Sequence, residues 1–386
     1  MRQADVIVIG AGVLGTFHAY FAALKGYKTL LIERAAFPND ASARNFGIIA
    51  PSIVPVGGEW ASFARDTIAL YRSLQQEHDI TAQVTGSLYL ASTEPERRVL
   101  EEFARAFSAG YACVYLDAAE ARYRYPFIRE SYCAGALLFP DDLTLAPRQM
   151  LRRLIPYLAR QGLIDYLPGA NVVSVESTGS GCIVRDARGV AYAAGRVIVC
   201  NGADYRMLFP AVFAASGLRL CKLQMMQTEP RPAGPAGTLP HAVLSGLSIR
   251  RYSAFASCPS YPLLCEQPVA QQIRDYGIHV LFKQLPDGAV VIGDSHEYSG
   301  IDGTSMDEAA TNPRIDQAIL RYGQDMLTLP SWDIRRRWNG YYLAHPEREI
   351  YTATIDGVIH IVTGIGGKGM TTGPGFARRH VDVALA

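Results

Sequence analysis

The sequence lacks the features that mark several large classes of protein. Its formal net charge is only +1, from 37 basic and 36 acidic residues, which argues against a nucleic-acid-binding protein. Its seven cysteines form no C-x-x-C pair and are odd in number, so neither a metal site nor a disulfide framework is predicted. No apolar run approaches the roughly 20 residues of a membrane span, and the N-terminal apolar stretch is too short for a signal peptide. These absences predict a soluble, cytoplasmic protein.

The chain is long and apolar enough to bury a sizeable core. It has 386 residues, of which 49% are hydrophobic, and this length is typical of two domains or of one large composite domain. No internal repeat or low-complexity tract divides it.

A glycine-rich turn near the N-terminus has the spacing of a nucleotide-binding motif. Residues 5–9 form the kind of apolar, β-branched run found in buried parallel strands, and Gly10, Gly12 and Gly15 follow it. The first glycine permits the tight turn, the second lets a pyrophosphate approach the backbone, and the third lets the helix pack on the strand. A helix predicted from residue 13 to about residue 25 points its N-terminus at the phosphates.

The second predicted strand, residues 29–32, ends at an acidic residue. Glu33 lies 18 positions after Gly15, near the distance expected for a carboxylate that binds ribose hydroxyls. A carboxylate at this point would repel a 2′-phosphate, which disfavours NADP. The glycine turn by itself leaves FAD and NAD as alternatives.

Three further stretches favour FAD. The small, polar loop at residues 41–47 suits the close approach of a flat ring. Residues 195–204 predict another strand that runs into a glycine turn, and residues 358–373 predict a strand, a glycine-rich turn and a helix. The N–H groups of this last turn are expected to face the carbonyl-rich end of a flavin ring.

With these stretches, the sequence resembles the FAD-dependent D-amino-acid oxidase superfamily, which includes glycine oxidase and sarcosine oxidase. The resemblance covers nearly the whole chain. It is carried by the glycine turn with Glu33 and Arg34, by the loop at 42–47, and by residues 135–147, 197–204, 288–298 and 363–371. Within the superfamily, residues 338–342 and 366–371 are similar to a bacterial branch often linked with phosphonate breakdown.

The resemblance implies a mixed α/β (α+β) fold. It consists of a Rossmann-like, glutathione-reductase-like FAD-binding domain and a substrate domain built on an antiparallel sheet. The FAD-binding domain is predicted to comprise residues 1–75, 141–210 and 331–386, and the substrate domain residues 76–140 and 211–330.

The resemblance also implies which residues contact FAD. They are Gly10, Gly12, Val13, Leu14, Gly15, Glu33, Arg34, Ser42, Arg44, Asn45, Gly47, Val173, Asn201, Gly202, Gly366, Gly367, Lys368, Gly369, Met370 and Thr371. Some sarcosine oxidases attach flavin covalently through a cysteine, and Glu349 occupies the matching position here. Non-covalent FAD is therefore expected.

The chain departs from the family at the substrate anchor. In amino-acid oxidases of this family, an arginine two residues after a W-x-G binds the substrate carboxylate. Here Tyr342 occupies that position, after Trp338 and Gly340. A simple amino-acid substrate is therefore in doubt, and a phosphonate dianion that accepts hydrogen bonds from Tyr342 and several cations is favoured.

Two histidines and several cations are candidates for the substrate site. His279 begins one predicted strand and His296 ends another that should abut the flavin, so either is a candidate to bind the anion or to receive a proton. A lone histidine is more often structural. The predicted catalytic residues are His279, His296 and Tyr342, and the predicted substrate-binding residues are these three with Arg335, Arg337 and Lys368.

The leading hypothesis is an FAD-dependent amine oxidase or dehydrogenase that acts on 2-aminoethylphosphonate or its N-methyl form, with dioxygen or another electron acceptor. A second hypothesis keeps this chemistry for glycine, sarcosine or a D-amino acid, with an arginine from elsewhere as the carboxylate anchor. A third is a non-catalytic, redox-sensing flavoprotein, and a fourth is an NAD-dependent dehydrogenase. The oligomeric state stays open.

Overall fold

The computed structural model describes residues 2–231, 238–301 and 310–386. Its strands are β1 (Arg2–Ile9), β2 (Thr29–Glu33), β3 (Ile48–Ile49), β4 (Gln83–Val84), β5 (Ser87–Ala91), β6 (Val114–Asp117), β7 (Gly135–Phe139), β8 (Leu143–Thr144), β9 (Asp165–Pro168), β10 (Val172–Ser177), β11 (Cys182–Asp186), β12 (Ala191–Val199), β13 (Arg219–Thr228), β14 (Ala242–Leu244), β15 (Leu281–Gln284), β16 (Val290–Gly293), β17 (Glu297–Gly300), β18 (Ile334–Ala344), β19 (Tyr351–Ile355) and β20 (Ile359–Thr363).

The α-helices of the described residues range from five to twenty residues in length. They are α1 (Val13–Leu24), α2 (Gly58–Glu77), α3 (Glu94–Tyr111), α4 (Ala118–Arg124), α5 (Pro147–Arg160), α6 (Pro210–Ala214), α7 (Gly246–Arg251), α8 (Tyr261–Glu266), α9 (Gln271–Asp275), α10 (Pro313–Met326) and α11 (Gly369–Ala384). None of these described helices combines the length and the apolarity that crossing a bilayer requires.

The first sheet is built around the N-terminal strand. Its order is β10–β11–β12–β1–β2–β9, and β20 with β19 joins it through β12. The strands β12, β1, β2 and β9 run parallel, as does β20 against β12, while β10, β11 and β19 are antiparallel to their neighbours. The Rossmann-like part of the predicted fold is confirmed.

Strand β1 is apolar on both faces because both faces of this sheet are covered. Val6 and Val8 pack in one core with Phe17 of α1, whereas Ile7 and Ile9 pack in another. Successive side chains of a strand point to opposite faces, so a parallel strand covered on both sides needs an unbroken apolar run.

The second sheet has the order β17–β13–β16–β15–β14–β5–β7–β6, and β18 joins it through β13. Every pairing is antiparallel except that of β5 with β14, so the predicted antiparallel sheet is confirmed. β18 lies inside segment 331–386 of the predicted cofactor domain, yet it pairs along its length with β13. The division into two domains stays a prediction, and β18 belongs to the second sheet.

Three histidines meet where α1, β20 and α11 pack together, of which His18 and His360 are buried and His380 is half-buried. His18 Nε2 lies 3.1 Å from His380 Nδ1, and His18 Nδ1 lies 2.7 Å from the Leu14 carbonyl oxygen. The rings of His360 and His380 are 6.1 Å apart, and His360 Nε2 is buried without a hydrogen-bond partner. Burial, and to a smaller extent their mutual repulsion, lowers the pKa of His18 to about 3 and that of His380 to about 4. All three are therefore neutral at pH 7.

These histidines predict a loss of stability in mild acid. Their folded-state pKa values lie below the value of about 6.5 in the unfolded chain, so the unfolded chain takes up protons first as the pH falls. The stability is fully present above about pH 6.5, and His18 and His380 are each expected to cost about 2 kcal/mol between pH 7 and pH 5. Urea unfolding of the wild type and of His380→Gln at both pH values measures this difference.

His78→Gln, at the partly exposed C-terminal end of α2, is the matched control. It should lose as much stability as the wild type between the two pH values, whereas His380→Gln should lose less. An equal loss in His380→Gln and in the wild type would contradict the assignment.

Candidate functional site

The N-terminal glycine turn is packed too closely for side chains at two positions. Gly10 has a φ of +93°, and a Cβ there would lie 2.3 Å from the carbonyl oxygen of Cys200. A Cβ on Gly15 would lie 1.8 Å from the carbonyl oxygen of Gly10. This packing brings the N-terminus of α1 against the end of β1. The N–H of Val13, in the first turn of α1, donates to Ser42 Oγ at 2.9 Å.

The cleft beside this turn offers the donors and acceptors that a dinucleotide needs. Glu33, at the end of β2, accepts hydrogen bonds at 2.9 Å from the N–H groups of Ala11 and Ala35. Asn201 Oδ1 is buried without a hydrogen-bond partner and lies in the wall of the same cleft. A helix N-terminus attracts phosphate, and an unpartnered buried amide oxygen is a natural acceptor for a ligand hydroxyl. The residues present fit FAD.

A larger cavity of about 460 Å³ lies between this turn and the second sheet. It brings together most of the residues predicted from the sequence. The predicted residues that line it are Gly12, Val13, Leu14, Ser42, Arg44, Asn45, Gly47, Gly202, His279, His296, Tyr342, Gly366, Gly367, Lys368, Gly369 and Met370.

The adjoining cleft holds Gly10, Glu33, Arg34 and Asn201, together with Gly12, Ser42 and Gly202. Three other predicted cofactor residues line neither space. Gly15 and Thr371 are buried inside helices, and Val173 is 38% exposed beside Val172, which lines the cleft.

The structure does not bring Arg335 or Arg337 to either space. Arg337 lies five positions from Tyr342 on β18, and side chains an odd number apart on a strand point to opposite faces. It donates instead to Asp316 of α10 at 2.6 Å. Arg335 is exposed near a register shift between β13 and β18. Lys368 does line the cavity, and its charge is paired with Glu349 at 2.5 Å.

The polar end of the cavity contains a carboxylate that the sequence reasoning missed. Asp294 Oδ1 lies 2.9 Å from His279 Nε2 and 3.8 Å from His296 Nδ1, but it has no aligned hydrogen-bond donor. His279 Nδ1 is 3.0 Å from Ser248 Oγ, which orients the ring. Asp294 stands two positions before His296, the spacing that puts two side chains of an extended segment on one face, so the sequence did carry a signal.

The protonation states of this group follow from its burial and its neighbours. Burial lowers the pKa of His279 and of His296, and the charge of Arg251 lowers the pKa of His296 further. Burial alone would raise the pKa of Asp294, but His296, His279 and Arg251 together hold it below its usual range. The group is therefore one carboxylate between two neutral imidazoles at neutral pH.

Arg251 was also missed by the sequence reasoning. It ends α7, lines the cavity, and has an exposed side chain because it faces that space. Burial in the protein lowers its pKa, but Tyr342, Tyr298 and Asp294 reverse the effect and raise the pKa above its usual value. Across the sheet, Tyr298 and Tyr342 flank Cys221 of β13. No sequence signal pointed to Arg251, since only tertiary packing brings α7 to β18.

Within the described residues, His279, Asp294 and His296 are also the one group whose ligand atoms could hold a metal ion, all within 4.8 Å of one another. The positive charge of Arg251 beside them opposes a second cation at this position. The arrangement is better suited to an organic ligand that carries both a positive and a negative group.

Comparison with known proteins gives a family match over nearly the whole chain. The family described as FAD dependent oxidoreductase matches residues 5–382. Glycine oxidase of Bacillus licheniformis is 28% identical over 219 residues, which are 54% of this chain and 57% of that protein. The match thus spans little more than half the length of that relative.

Solved structures show the same fold over the full chain. Glycine oxidase from Geobacillus kaustophilus has a TM-score of 0.78 at 17% identity, over 100% of this chain and 95% of that one. L-alpha-Glycerophosphate Oxidase from Mycoplasma pneumoniae with FAD bound has a TM-score of 0.78 at 17% identity, over 100% and 96%. At identities this low, the likeness shows a shared fold and nothing about activity.

The close packing at Gly10 predicts that Gly10→Ala loses FAD. The new Cβ would collide with the Cys200 carbonyl, and the positive φ adds backbone strain, which together should cost about 3 kcal/mol or more. Flavin absorbance per purified chain and the Tm measure the effect.

Gly26→Ala is the matched control. Gly26 also has a positive φ, +88°, but no atom lies within 4 Å of its Cβ position. It should lose about 1 kcal/mol and keep its FAD. Equal FAD content in both variants would contradict the role of close packing at the turn.

Proposed function

Because the chain belongs to the family of FAD-dependent oxidoreductases, we propose that it oxidises the carbon–nitrogen bond of a small amine with an anionic end. Bound FAD supplies the redox chemistry by accepting a hydride from the carbon next to nitrogen. The imine product hydrolyses to a carbonyl compound and an amine or ammonia, and dioxygen or another acceptor takes up the electrons. The protein binds, orients and desolvates the substrate.

The proposed cofactor contacts follow the two spaces of the cleft. Glu33, which lines the smaller cleft, would bind the ribose hydroxyls, and the N-terminus of α1 would bind the pyrophosphate. The glycine turn with Lys368 and Met370 borders the larger cavity, where the ring would lie. Glu349 stands where a linking cysteine would be expected and is paired with Lys368, so FAD would be held without a covalent bond.

The observation that carries the proposal is Arg251 in the same cavity wall as Tyr342. The family position expected to hold an anchoring arginine is a tyrosine in this chain, and Arg251 brings a guanidinium to that tyrosine from another element. A guanidinium forms charge-assisted, bidentate hydrogen bonds with carboxylate or phosphonate oxygens. The anionic end of the substrate is therefore assigned to Arg251 and the Tyr342 hydroxyl.

The opposite charge in the cavity suits the amine. Asp294 is a buried carboxylate whose Oδ1 lies 2.9 Å from His279 Nε2, and a substrate ammonium would add a charged donor to it. The amine must lose a proton before it gives up a hydride, and the neutral His279 and His296 beside Asp294 are placed to receive it. Separate cationic and anionic groups in one small cavity match a zwitterionic substrate.

An aminophosphonate such as 2-aminoethylphosphonate or its N-methyl derivative is the favoured substrate. A phosphonate dianion has three acceptor oxygens, more than a carboxylate, and the cavity offers it the Arg251 guanidinium and the Tyr342 hydroxyl. A carboxylate anchored by one arginine would leave some of these donors without an acceptor.

Glycine, sarcosine or a D-amino acid is the second candidate. Arg251 would then act as the carboxylate anchor from elsewhere in the chain, and the likeness to glycine oxidases favours this alternative. A non-catalytic flavoprotein gains less support, since a redox sensor has no need for both a cationic and an anionic side chain in its cavity.

We expect anaerobic mixing with N-methyl-2-aminoethylphosphonate or 2-aminoethylphosphonate to bleach the flavin absorbance rapidly, and glycine, sarcosine and D-alanine to do so slowly. Arg251→Gln should raise the concentration for half-maximal bleaching about thirtyfold or more, because the anion loses its charged partner in the cavity. Stopped-flow absorbance measures both effects.

Arg251→Lys serves as the comparison, because it keeps the charge without the planar fork and should retain part of the affinity. Rapid bleaching by the amino acids alone would favour the second candidate. Unchanged substrate affinity in Arg251→Gln would remove the proposed anchor, and a flavin that none of these amines bleaches would argue for the non-catalytic alternative.

A further inference from the structure

Four arginines gather at the edge of the larger cavity, on the surface where α5 lies beside β18. They are Arg44, Arg148, Arg152 and Arg336, and we call this group the basic rim. Arg148, Arg152 and Arg336 are exposed, and Arg44 also lines the cavity. The basic rim is therefore continuous with the proposed substrate site.

Aromatic rings hold two of these side chains in place. The guanidinium of Arg148 lies over the ring of Trp338, 5.6 Å from its centroid, and that of Arg152 lies 5.2 Å from the centroid of Phe37. Trp338 Nε1 donates to the Arg44 carbonyl oxygen at 3.2 Å, which ties this ring to the cavity wall. Arginines that stack on aromatic faces lose less entropy when they bind an anion.

The other two arginines lie beside this pair. Arg336 stands two positions before Trp338 on β18, so both side chains share a face of the strand. Arg44 Nε donates to the Asn39 carbonyl oxygen at 2.7 Å, a contact that leaves its charge uncompensated. Burial lowers the pKa of Arg148, and the charges of Arg336, Arg44 and Arg152 lower it further, which shows how close the four charges lie.

The basic rim lacks the carboxylate partners that neighbouring arginines have. Arg153, next to Arg152 on α5, is paired with Asp79, and Arg337, next to Arg336 on β18, is paired with Asp316. Across residues 2–231, 238–301 and 310–386, no carboxylate lies within ion-pair distance of the four rim arginines. Four uncompensated charges on one surface beside the cavity create a field that extends about a Debye length into solvent.

We propose that the basic rim attracts the anionic group of the substrate and guides it past Arg44 to Arg251. This inference rests on the proposed function, because it requires a substrate with net negative charge. 2-Aminoethylphosphonate with a doubly ionised phosphonate and a protonated amine carries such a charge, whereas glycine is a net-neutral zwitterion. The rim should therefore favour phosphonates over amino acids before either reaches the cavity.

The test measures the second-order rate constant of flavin bleaching under anaerobic conditions, with 2-aminoethylphosphonate at low and high ionic strength. In the wild type this rate constant should fall roughly tenfold or more with added salt, and less for a glycine reaction measured alongside. In Arg148→Gln/Arg152→Gln it should be at least about threefold lower at low salt and depend less on salt, with the limiting rate at saturation unchanged.

Arg160→Gln is the matched control, because Arg160 is exposed on the same helix but lies twelve residues, or about 18 Å, beyond Arg148. It should keep the wild-type rate constant and salt dependence. FAD content and Tm should be the same in all variants, which excludes loss of folding as the cause.

Wild-type salt dependence in the double variant would overturn the rim's role while leaving the proposed function in place. A loss seen only in turnover with an electron acceptor, and not in anaerobic bleaching, would overturn it too and assign the rim to the acceptor. If no anionic amine bleaches the flavin, the proposed function fails, and the inference fails with it.

Discussion

The antiparallel pairing of β13 with β18 is the interaction on which the candidate site depends. β13 pairs with β18 on one side and with β17 and β16 at its two ends, so one strand sets the register of three others. Cys221 of β13 stands opposite both Tyr342 and Tyr298, which places the two hydroxyls on one face. An isolated bridge from Ala344 to Ile365 then joins β18 to the C-terminal glycine turn. A shift of one residue would turn Tyr342 away from the cavity.

The glycine turns and the second sheet contribute different things to the same cavity. Gly10 and Gly15 remove side chains so that the backbone and the N-terminus of α1 approach a ligand closely. The second sheet contributes charge. Arg251, in the helix after β14, and Asp294, directly after β16, both line the cavity. Backbone donors suit a phosphate-bearing cofactor, whereas separated side-chain charges suit a small zwitterion. This division explains why one cavity can hold both.

The sequence pointed to more of the residues around the glycine turn than of those around Arg251. Glycine positions and Glu33 were predictable because their roles depend on local backbone geometry and on a short spacing along the chain. Tyr342, His279 and His296 were predicted to be near the substrate, and all three line the cavity. Arg337 was predicted there from its closeness to Tyr342 in sequence, but strand alternation turns it towards Asp316. The roles of Tyr342, His279 and His296 in binding and chemistry stay predictions.

By itself, the sequence determined the Rossmann-like sheet, the nucleotide turn and the absence of an arginine at position 342. These features follow from side-chain periodicity and from local backbone conformation, which neighbouring residues encode. Only the tertiary structure decided that Arg251 meets Tyr342, that Asp294 lies between two histidines, and that Arg148 and Arg336 share a surface. Those contacts join elements tens to hundreds of residues apart, and they are set by sheet register and helix packing, which no local pattern specifies.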